Sequence, residues 1–467
     1  MSNAIIDILH KAAGVLPEIK NPERPPSTKE RLVWTGIAVV IFFIMYHVTA
    51  FGVQPTSGAV DFLQTITASR IGSLLTAGIG PLVLASIFLQ LFVGAGIIKL
   101  DMQNKEDKQK FHEVQKILGI ILAFVEAIIF VFPGKVQLIP DLGALTPFIP
   151  FIVVLQIAIG SIIVLYLDSI VSKYGIGSGI SLFIAAGVSL AIVGGALNIF
   201  ADVINIVTNP AIGGGAEAIP KALLRMLPLI FTILVFIICV YAEGIKVEIP
   251  IAFEKVRGFS PKLPLKFFYV SNIPVIFASA LILNMQLFAG GILVGKGWDS
   301  IAVVSPDGRL IDGFLYFLTP FFPGQGSEIH FSYLTQLTPL TGIPEWVHAI
   351  TYILFLSTVS ILFGMFWVET ANMDAKSVAN QLSSSGLQIP GFRRDPRMLE
   401  TILNKYIFPL TVLGSFSVGL LAGMADLTGA LGTGTGILLT VGILYKMYEQ
   451  MEQMNMFDAY PALGKLV

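Results

Sequence analysis

The chain has 467 residues, of which 55% are hydrophobic and 13% charged. Soluble domains carry about 25% charge, so the composition excludes a large soluble protein and points to a polytopic membrane protein. The formal net charge of −1 identifies no partner, because the sign of charge is segregated along the chain rather than spread over it.

Residues 1–31 are polar enough that no cleavable signal peptide is expected there. Within them Ile5, Ile8, Leu9, Ala12, Ala13 and Leu16 recur near helical spacing around Asp7, His10 and Lys11, which predicts an amphipathic helix on the cytoplasmic face. A turn from Pro22 to Pro26 leads into the first of ten apolar stretches. These lie at 32–51, 78–98, 114–132, 148–170, 176–200, 226–242, 273–294, 347–368, 406–424 and 434–448. A helix rises about 1.5 Å per residue, so roughly 20 residues cross a hydrocarbon core about 30 Å thick. Of the 29 Lys and Arg residues, 23 fall in the two termini and loops 2/3, 4/5, 6/7 and 8/9, and 6 fall in the alternate loops. The positive-inside rule then makes both termini cytoplasmic.

Residues 61–70 break the pattern. Asp61, Phe62, Leu63, Ile66 and Arg70 belong to a short half-polar segment, set off from the second span by Gly78, Gly80 and Pro81. A non-spanning helix at membrane depth needs protein or a water-filled cavity around it. An external surface helix is the alternative. Two cytoplasmic loops are long and basic. Loop 244–272 holds Lys246, Lys255, Arg257, Lys262 and Lys266, and loop 369–405 holds Lys376, Arg393, Arg394, Arg397 and Lys405. The external loop 296–345 is polar and rich in Gly and Pro. The spans divide into an N-terminal half (32–200) and a C-terminal half (201–467) that start on opposite sides, which is inverted topology with any pathway at their interface. No clear repeat of sequence accompanies it.

Catalytic chemistry is missing from this reading. Gly290 to Lys296 imitates a phosphate loop, but Gly297 stands where a hydroxyl should hold magnesium. Gly175 to Gly179 lacks dinucleotide spacing and opens a membrane span. The five histidines are scattered, and the one cysteine, Cys239, sits in an apolar span. No metal, cofactor or enzymatic activity is expected. Glu126 lies mid-span, while Asp168, Glu243 and Asp426 lie near span ends. Gln90 and Asn284 are uncharged amides within spans two and seven, and interhelical hydrogen bonding is the plainer role for such groups. One mid-span carboxylate and two amides suit a gated seam better than a proton- or sodium-coupled carrier.

Several strings are more specific. Tyr174-Gly-Ile-Gly-Ser-Gly-Ile-Ser-Leu-Phe-Ile-Ala-Ala-Gly-Val188 opens span five, Gly78-Ile-Gly-Pro81 opens span two, and Phe268-Tyr-Val-Ser-Asn-Ile-Pro-Val-Ile-Phe277 opens span seven. With Val256-Arg-Gly258 in loop 6/7 and Gly432-Thr-Gly-Thr-Gly-Ile-Leu-Leu439 in span ten, the chain closely resembles the SecY family over essentially its whole length, nearest the archaeal and eukaryotic branch. That resemblance implies an all-α membrane protein: an hourglass channel between two inverted five-helix halves, conducting secretory polypeptides and releasing membrane helices laterally. It implies an apolar pore ring of Ile79, Val83, Ile180, Ile184, Ile276 and Leu439, with Leu438 as the alternative in span ten. It implies that 61–70 is a plug, and that spans two, three, seven and eight form a lateral gate carrying Glu126 and Asn284. Leu84 stands where the family commonly has a hydroxyl, and Gln90 is the amide available instead. Lys255, Arg257, Arg393 and Arg394 match the docking loops for the ribosome and its RNA. The implied partners are the gamma (SecE) and beta subunits, the ribosome, signal sequences, nascent polypeptides and the lipid bilayer, in the cell (plasma) membrane. The rival reading is an inverted-repeat secondary transporter of a small solute.

Overall fold

The computed structural model describes residues 17–24, 26–54, 68–94, 97–98, 100, 104–132, 136–140, 143–209, 218–250, 252–253, 262–270, 272–289, 300–304, 310–320, 337–338, 341–384, 387–388 and 396–453. Among them, ten helices stand where the ten apolar stretches lie: α1 (Thr28–His47), α2 (Gly80–Gly94), α3 (Lys105–Val131), α4 (Ile149–Tyr174), α5 (Gly179–Thr208), α6 (Ala218–Glu243), α7 (Ile273–Phe288), α8 (Glu345–Thr370), α10 (Pro396–Leu427) and α11 (Gly434–Gln453). A short α9 (Ala375–Ser384) lies in the 369–405 loop. The amphipathic helix expected at 5–16 lies outside the described residues.

Local sequence explains several boundaries. Helix α1 starts on a capping box, in which the Ser27 N–H donates to Glu30 Oε2 at 2.7 Å while Ser27 Oγ accepts from the Glu30 N–H. Helix α3 begins nine residues before its apolar stretch, capped by Asn104, whose side chain accepts from the Glu106 N–H at 3.1 Å. Helix α5 runs to Thr208, past residue 200 where the halves were divided. Polar residues end the apolar stretch, yet the helix continues and Asp202 pairs with Arg225 of α6 at 2.5 Å.

Among the described residues, seven helices are long and apolar enough to cross a membrane. The other three are instructive. Helices α2 and α7 have only 15 and 16 residues, and the second half of α11 carries Lys446, Glu449 and Glu452. At about 1.5 Å per residue α2 is roughly 22 Å long, too short to cross alone. The chain before it completes the path without helix. Ala68, Ser69, Ser73, Leu75, Thr76, Ala77 and Ile79 are buried there. Its backbone is satisfied by protein: Gly72 N–H donates to Thr76 Oγ1 at 3.1 Å, Leu75 N–H to Ser73 Oγ at 3.0 Å, and Leu74 N–H to the Val48 carbonyl at 3.0 Å. Irregular backbone at membrane depth is tolerated under that condition.

The outer faces of the long helices stay apolar. Val33, Ile37, Val40 and Ile44 on α1, and Phe151, Leu155 and Ile159 on α4, are exposed at helical spacing. A surface of this kind is a lipid contact. Among the described residues, six short strands lie outside the helices: β1 (Lys246–Pro250), β2 (Ala252–Phe253), β3 (Lys262–Lys266), β4 (Val303–Val304), β5 (Leu310–Asp312) and β6 (Leu387–Gln388). Strand β1 pairs with β3 as a hairpin, and β2 pairs with β6, so loops 6/7 and 8/9 are joined through their backbones. They also share a core of Leu265, Val270, Ala379, Leu382, Leu399 and Leu403. Tyr269 O–H donates to the Met373 carbonyl at 2.6 Å, and burial, with the Asp374 charge adding, pushes its phenol up to about 12.

Glycine contacts give a test of this packing. A Cβ on Gly160 of α4 would overlap the Leu74 carbonyl oxygen in the irregular segment, whereas one on Gly194 of α5 meets nothing within 4 Å. Glycine inside a helix costs about 0.5–1 kcal/mol relative to alanine. Gly194→Ala is therefore expected to raise the thermal unfolding temperature in detergent. Gly160→Ala is expected to lower it, because overpacking costs about 1–3 kcal/mol. Similar shifts of the same sign would refute the close approach.

Candidate functional site

Ile79, Val83, Ile184, Ile276, Leu438 and Leu439 are all buried in one hydrophobic cluster, and Ile180 is half-buried against it. The six expected ring residues thus come from four helices or their starts, on α2, α5, α7 and α11, and from both halves of the chain. Both candidates in span ten belong to the cluster, which does not by itself separate them. The site has no built-in chemistry for a particular ligand. Apolar side chains at a narrow point dewet it against ions while offering no specific bond to a peptide.

Sequence reasoning missed the residue that ties α7 to α11. Asn272, just ahead of α7, donates from Nδ2 to the Leu438 carbonyl at 2.9 Å. A Cβ on Gly442 would overlap that amide, so the glycine in α11 is what admits it. The available signal was a glycine inside an apolar helix without a turn to explain it. Below this contact Lys266 Nζ lies 2.5 Å from Glu449 Oε2, and Lys246, its partner across the hairpin, lies 3.9 Å from Glu449 Oε1.

The seam between the halves runs along α2, which packs against α3 on one side and against α7 and α8 on the other. At its C-terminal end Gly94 takes the ring of Phe366 from α8, where a Cβ would overlap it. Gln90, Glu126 and Asn284 are all buried, and each leaves one oxygen without a hydrogen-bond partner. Gln90 and Glu126 do not come together. The Glu126 carboxylate lies over Gly80, with Oε2 2.8 Å from where a Cβ would be. Gln90 is ten residues further along the same helix, about 15 Å away. Gln90 therefore cannot stand in for the hydroxyl missing at Leu84. Gln115 of α3 donates to Ser86 Oγ, two residues beyond Leu84, at 2.6 Å.

Of the expected plug, Arg70 is described: its side chain is exposed and its backbone N–H donates to the Leu75 carbonyl at 3.2 Å. Asp61, Phe62, Leu63 and Ile66 lie outside the described residues, as do Lys255, Arg257, Arg393 and Arg394.

The SecY family model matches residues 73–448. The protein translocase subunit SecY of Methanocaldococcus jannaschii is 44% identical over 465 residues, covering 99% of each chain. That of Pyrococcus furiosus is 40% identical over 486 residues, covering 98% of each. Among solved structures, one described as that of a protein conducting channel superposes with a TM-score of 0.81 at 44% identity, covering 99% of both chains. Sec61 in the canine ribosome-channel complex from the endoplasmic reticulum gives 0.78 at 44% identity, with the same coverage.

The unpartnered amide oxygen in the seam predicts an unusual sign. Asn284 Nδ2 donates only within its own helix, to the Ala280 carbonyl at 2.8 Å, and its Oδ1 has no partner. Leaving a buried acceptor unsatisfied costs about 1–3 kcal/mol. Asn284→Leu is thus expected to raise the melting temperature and to make the seam harder to open, read as slower crosslinking of a membrane-inserting segment. A lower melting temperature would mean that Asn284 has a partner in the assembled seam.

Proposed function

We propose that this chain, which belongs to the SecY family, closes its channel with the apolar ring of Ile79, Val83, Ile180, Ile184, Ile276 and Leu439. The protein is a multi-pass membrane protein and the channel subunit of a protein translocase, not a carrier of a small solute. The observation that carries the ring is the single buried cluster these residues share across both halves. We assign residues 61–70 as the plug. The support is the satisfied, irregular backbone of 68–79, which would anchor the end of a displaceable segment directly above Ile79. One solved SecY, 42% identical to this chain, is described as having a plug domain that stabilizes the closed state and maintains a membrane seal. Helices α2, α3, α7 and α8 serve as the lateral gate, with Glu126 and Asn284 as its buried polar groups. The channel itself is passive, and the energy for movement comes from partners.

The crosslinking of an arrested secretory chain tests the pathway: a photoreactive group in that chain should label Ile184 and Ile276, and a small solute should show no saturable binding. Ile276→Asn should also loosen the closed state. An amide there is hydrated or unsatisfied at a cost of about 1–3 kcal/mol, which shifts the closed–open balance roughly five- to 150-fold. Signal sequences too weak for the parent should then pass. The control is Leu413→Asn on the outer face of α10, where the side chain is exposed. Equal permissiveness at both sites would replace the ring with general destabilisation.

The gamma (SecE) and beta subunits, the ribosome and its RNA are the proposed partners, in the plasma membrane with both termini cytoplasmic. The pairing of β2 with β6 supports a joint docking platform, because it brings the loops of Arg257 and Arg393 onto one base. Contacts to RNA phosphates release counterions and weaken with salt. Reversing charge at Arg257 and Arg393 should lower ribosome affinity and flatten its salt dependence. Parental affinity and slope would assign these charges to topology alone.

A further inference from the structure

Helices α5 and α11 open on similar strings, with glycines at the first, third and eleventh positions of both. From Gly177 the chain reads Gly-Ser-Gly-Ile-Ser-Leu-Phe-Ile-Ala-Ala-Gly, and from Gly432 it reads Gly-Thr-Gly-Thr-Gly-Ile-Leu-Leu-Thr-Val-Gly. The backbone repeats as well: φ is +76° at Gly177 and +74° at Gly432, and each helix starts two residues later, at Gly179 and Gly434.

Two hydrogen bonds around each string correspond, while Asp426 Oδ2 accepts two more, from the Tyr352 hydroxyl at 2.7 Å and the Thr435 hydroxyl at 2.8 Å. Ile176 N–H donates to Thr35 Oγ1 on α1 at 3.1 Å, and Leu431 N–H donates to Thr232 Oγ1 on α6 at 2.8 Å. Each threonine turns its own hydroxyl proton to the carbonyl four residues back, that of Arg31 or Pro228. At the second residue of each helix, Ile180 N–H donates to Asp168 Oδ1 at 2.9 Å and Thr435 N–H donates to Asp426 Oδ1 at 3.1 Å. Asp168 lies in the last two turns of α4, six residues before its end, and Asp426 is next to last in α10. Both opening glycines allow the approach, since a Cβ on either would press on the backbone at Asp168 or Asp426. In each half, then, the fifth span is hooked to the first by a threonine and to the fourth by an aspartate. The two hooks face opposite sides of the membrane, because α5 and α11 start on opposite sides.

We propose that these are one joint used twice, and that Thr35, Asp168, Thr232 and Asp426 are positioning residues that set how far α5 and α11 reach toward the ring. The N–H groups at a helix start are otherwise unpaired, and a carboxylate there also suits the helix dipole. One turn beyond the two capped N–H groups stand Ile184 and Leu439. The repeat therefore assigns Leu439, not Leu438, to the ring. Leu438 matches Phe183, which stacks on Phe42 of α1 at 5.0 Å and so packs behind the ring.

The inference rests on the ring reading, and the test separates the two. The full chain with its partner subunits is reconstituted in phosphatidylcholine–phosphatidylglycerol vesicles, and ion leak of the idle channel is recorded. Thr35→Val, Thr232→Val, Asp168→Ala and Asp426→Ala should each raise the leak about two- to thirty-fold, the range that loss of one helix cap gives. Asp168→Asn keeps an acceptor oxygen for the Ile180 N–H and should restore the leak to within about twofold of the parent. Tyr269→Phe, which removes a buried hydrogen bond remote from the joints, should lower the melting temperature without leak. If Ile276→Asn leaks while the joint variants only melt earlier, the joints are structural and the proposal falls with the ring intact. If Ile276→Asn does not leak either, the ring reading falls and takes the proposal with it. In a Cys239→Ser chain, a cysteine at 439 should crosslink to one in an arrested translocating polypeptide at least fivefold more than a cysteine at 438. An equal or reversed yield overturns the assignment of Leu439.

Discussion

Inside a bilayer every backbone N–H and C=O must find its partner within the protein. That constraint organises this chain more than any side-chain chemistry does. Seven helices meet it by length alone. Helices α2 and α7 do not, and both contribute to the proposed ring and gate. Their shortness is made possible by what surrounds them: the irregular approach to α2 bonds to its own hydroxyls and to the Val48 carbonyl, and α7 opens on Asn272, which bonds to α11. Short helices leave irregular backbone at depth, and irregular backbone can change shape where a long helix cannot. A channel that must open sideways and across needs such places.

The same economy explains the apolar character of the ring. A pore that selects by hydrogen bonding would discriminate among peptides, since a polar site rejects whatever leaves its groups unpaired. Burial of Ile79, Ile184 and Leu439 in one cluster holds the halves together by area alone, indifferent to what replaces it. Few buried groups in the seam are polar, and several are left unsatisfied, including Glu126 Oε1 and Asn284 Oδ1. Unsatisfied atoms lower the cost of opening, because water or a polar segment relieves them when the seam parts.

The ten spans, the two long basic loops and the strings at 78–81, 174–188 and 432–439 were legible in the sequence, because apolar length and charge asymmetry act one residue at a time. The shared core under loops 6/7 and 8/9 was not, since the pairing of Ala252 with Gln388 joins segments more than 130 residues apart. The offset of Gln90 was not legible for a related reason: sequence does not say which residue of α2 faces Glu126 of α3, and the carboxylate lies over Gly80, ten residues of helix before Gln90. The internal repeat was overlooked although both of its strings had been read. Its matches are types rather than identities, with Ser178 against Thr433 and Ile184 against Leu439. The shared φ values and the two threonine hooks are what align them.

The connection from the β1–β3 hairpin to α11 shows which forces carry it. Glu449 stands between Lys246 and Lys266, and Lys266 also sits 4.7 Å from the centre of the Tyr445 ring. These groups are part-exposed, and ion pairs in such places contribute about 0–1 kcal/mol. They orient the hairpin more than they hold it. The stronger hold is the buried one: Asn272 is 3% exposed, its amide donates to the Leu438 carbonyl, and it fills the space that Gly442 leaves open in α11. Leu438 precedes the residue proposed for the ring. A displacement of the chain between the hairpin and α7 therefore reaches α11 through a buried hydrogen bond one residue from that position, while salt can screen the outer charges without severing the path.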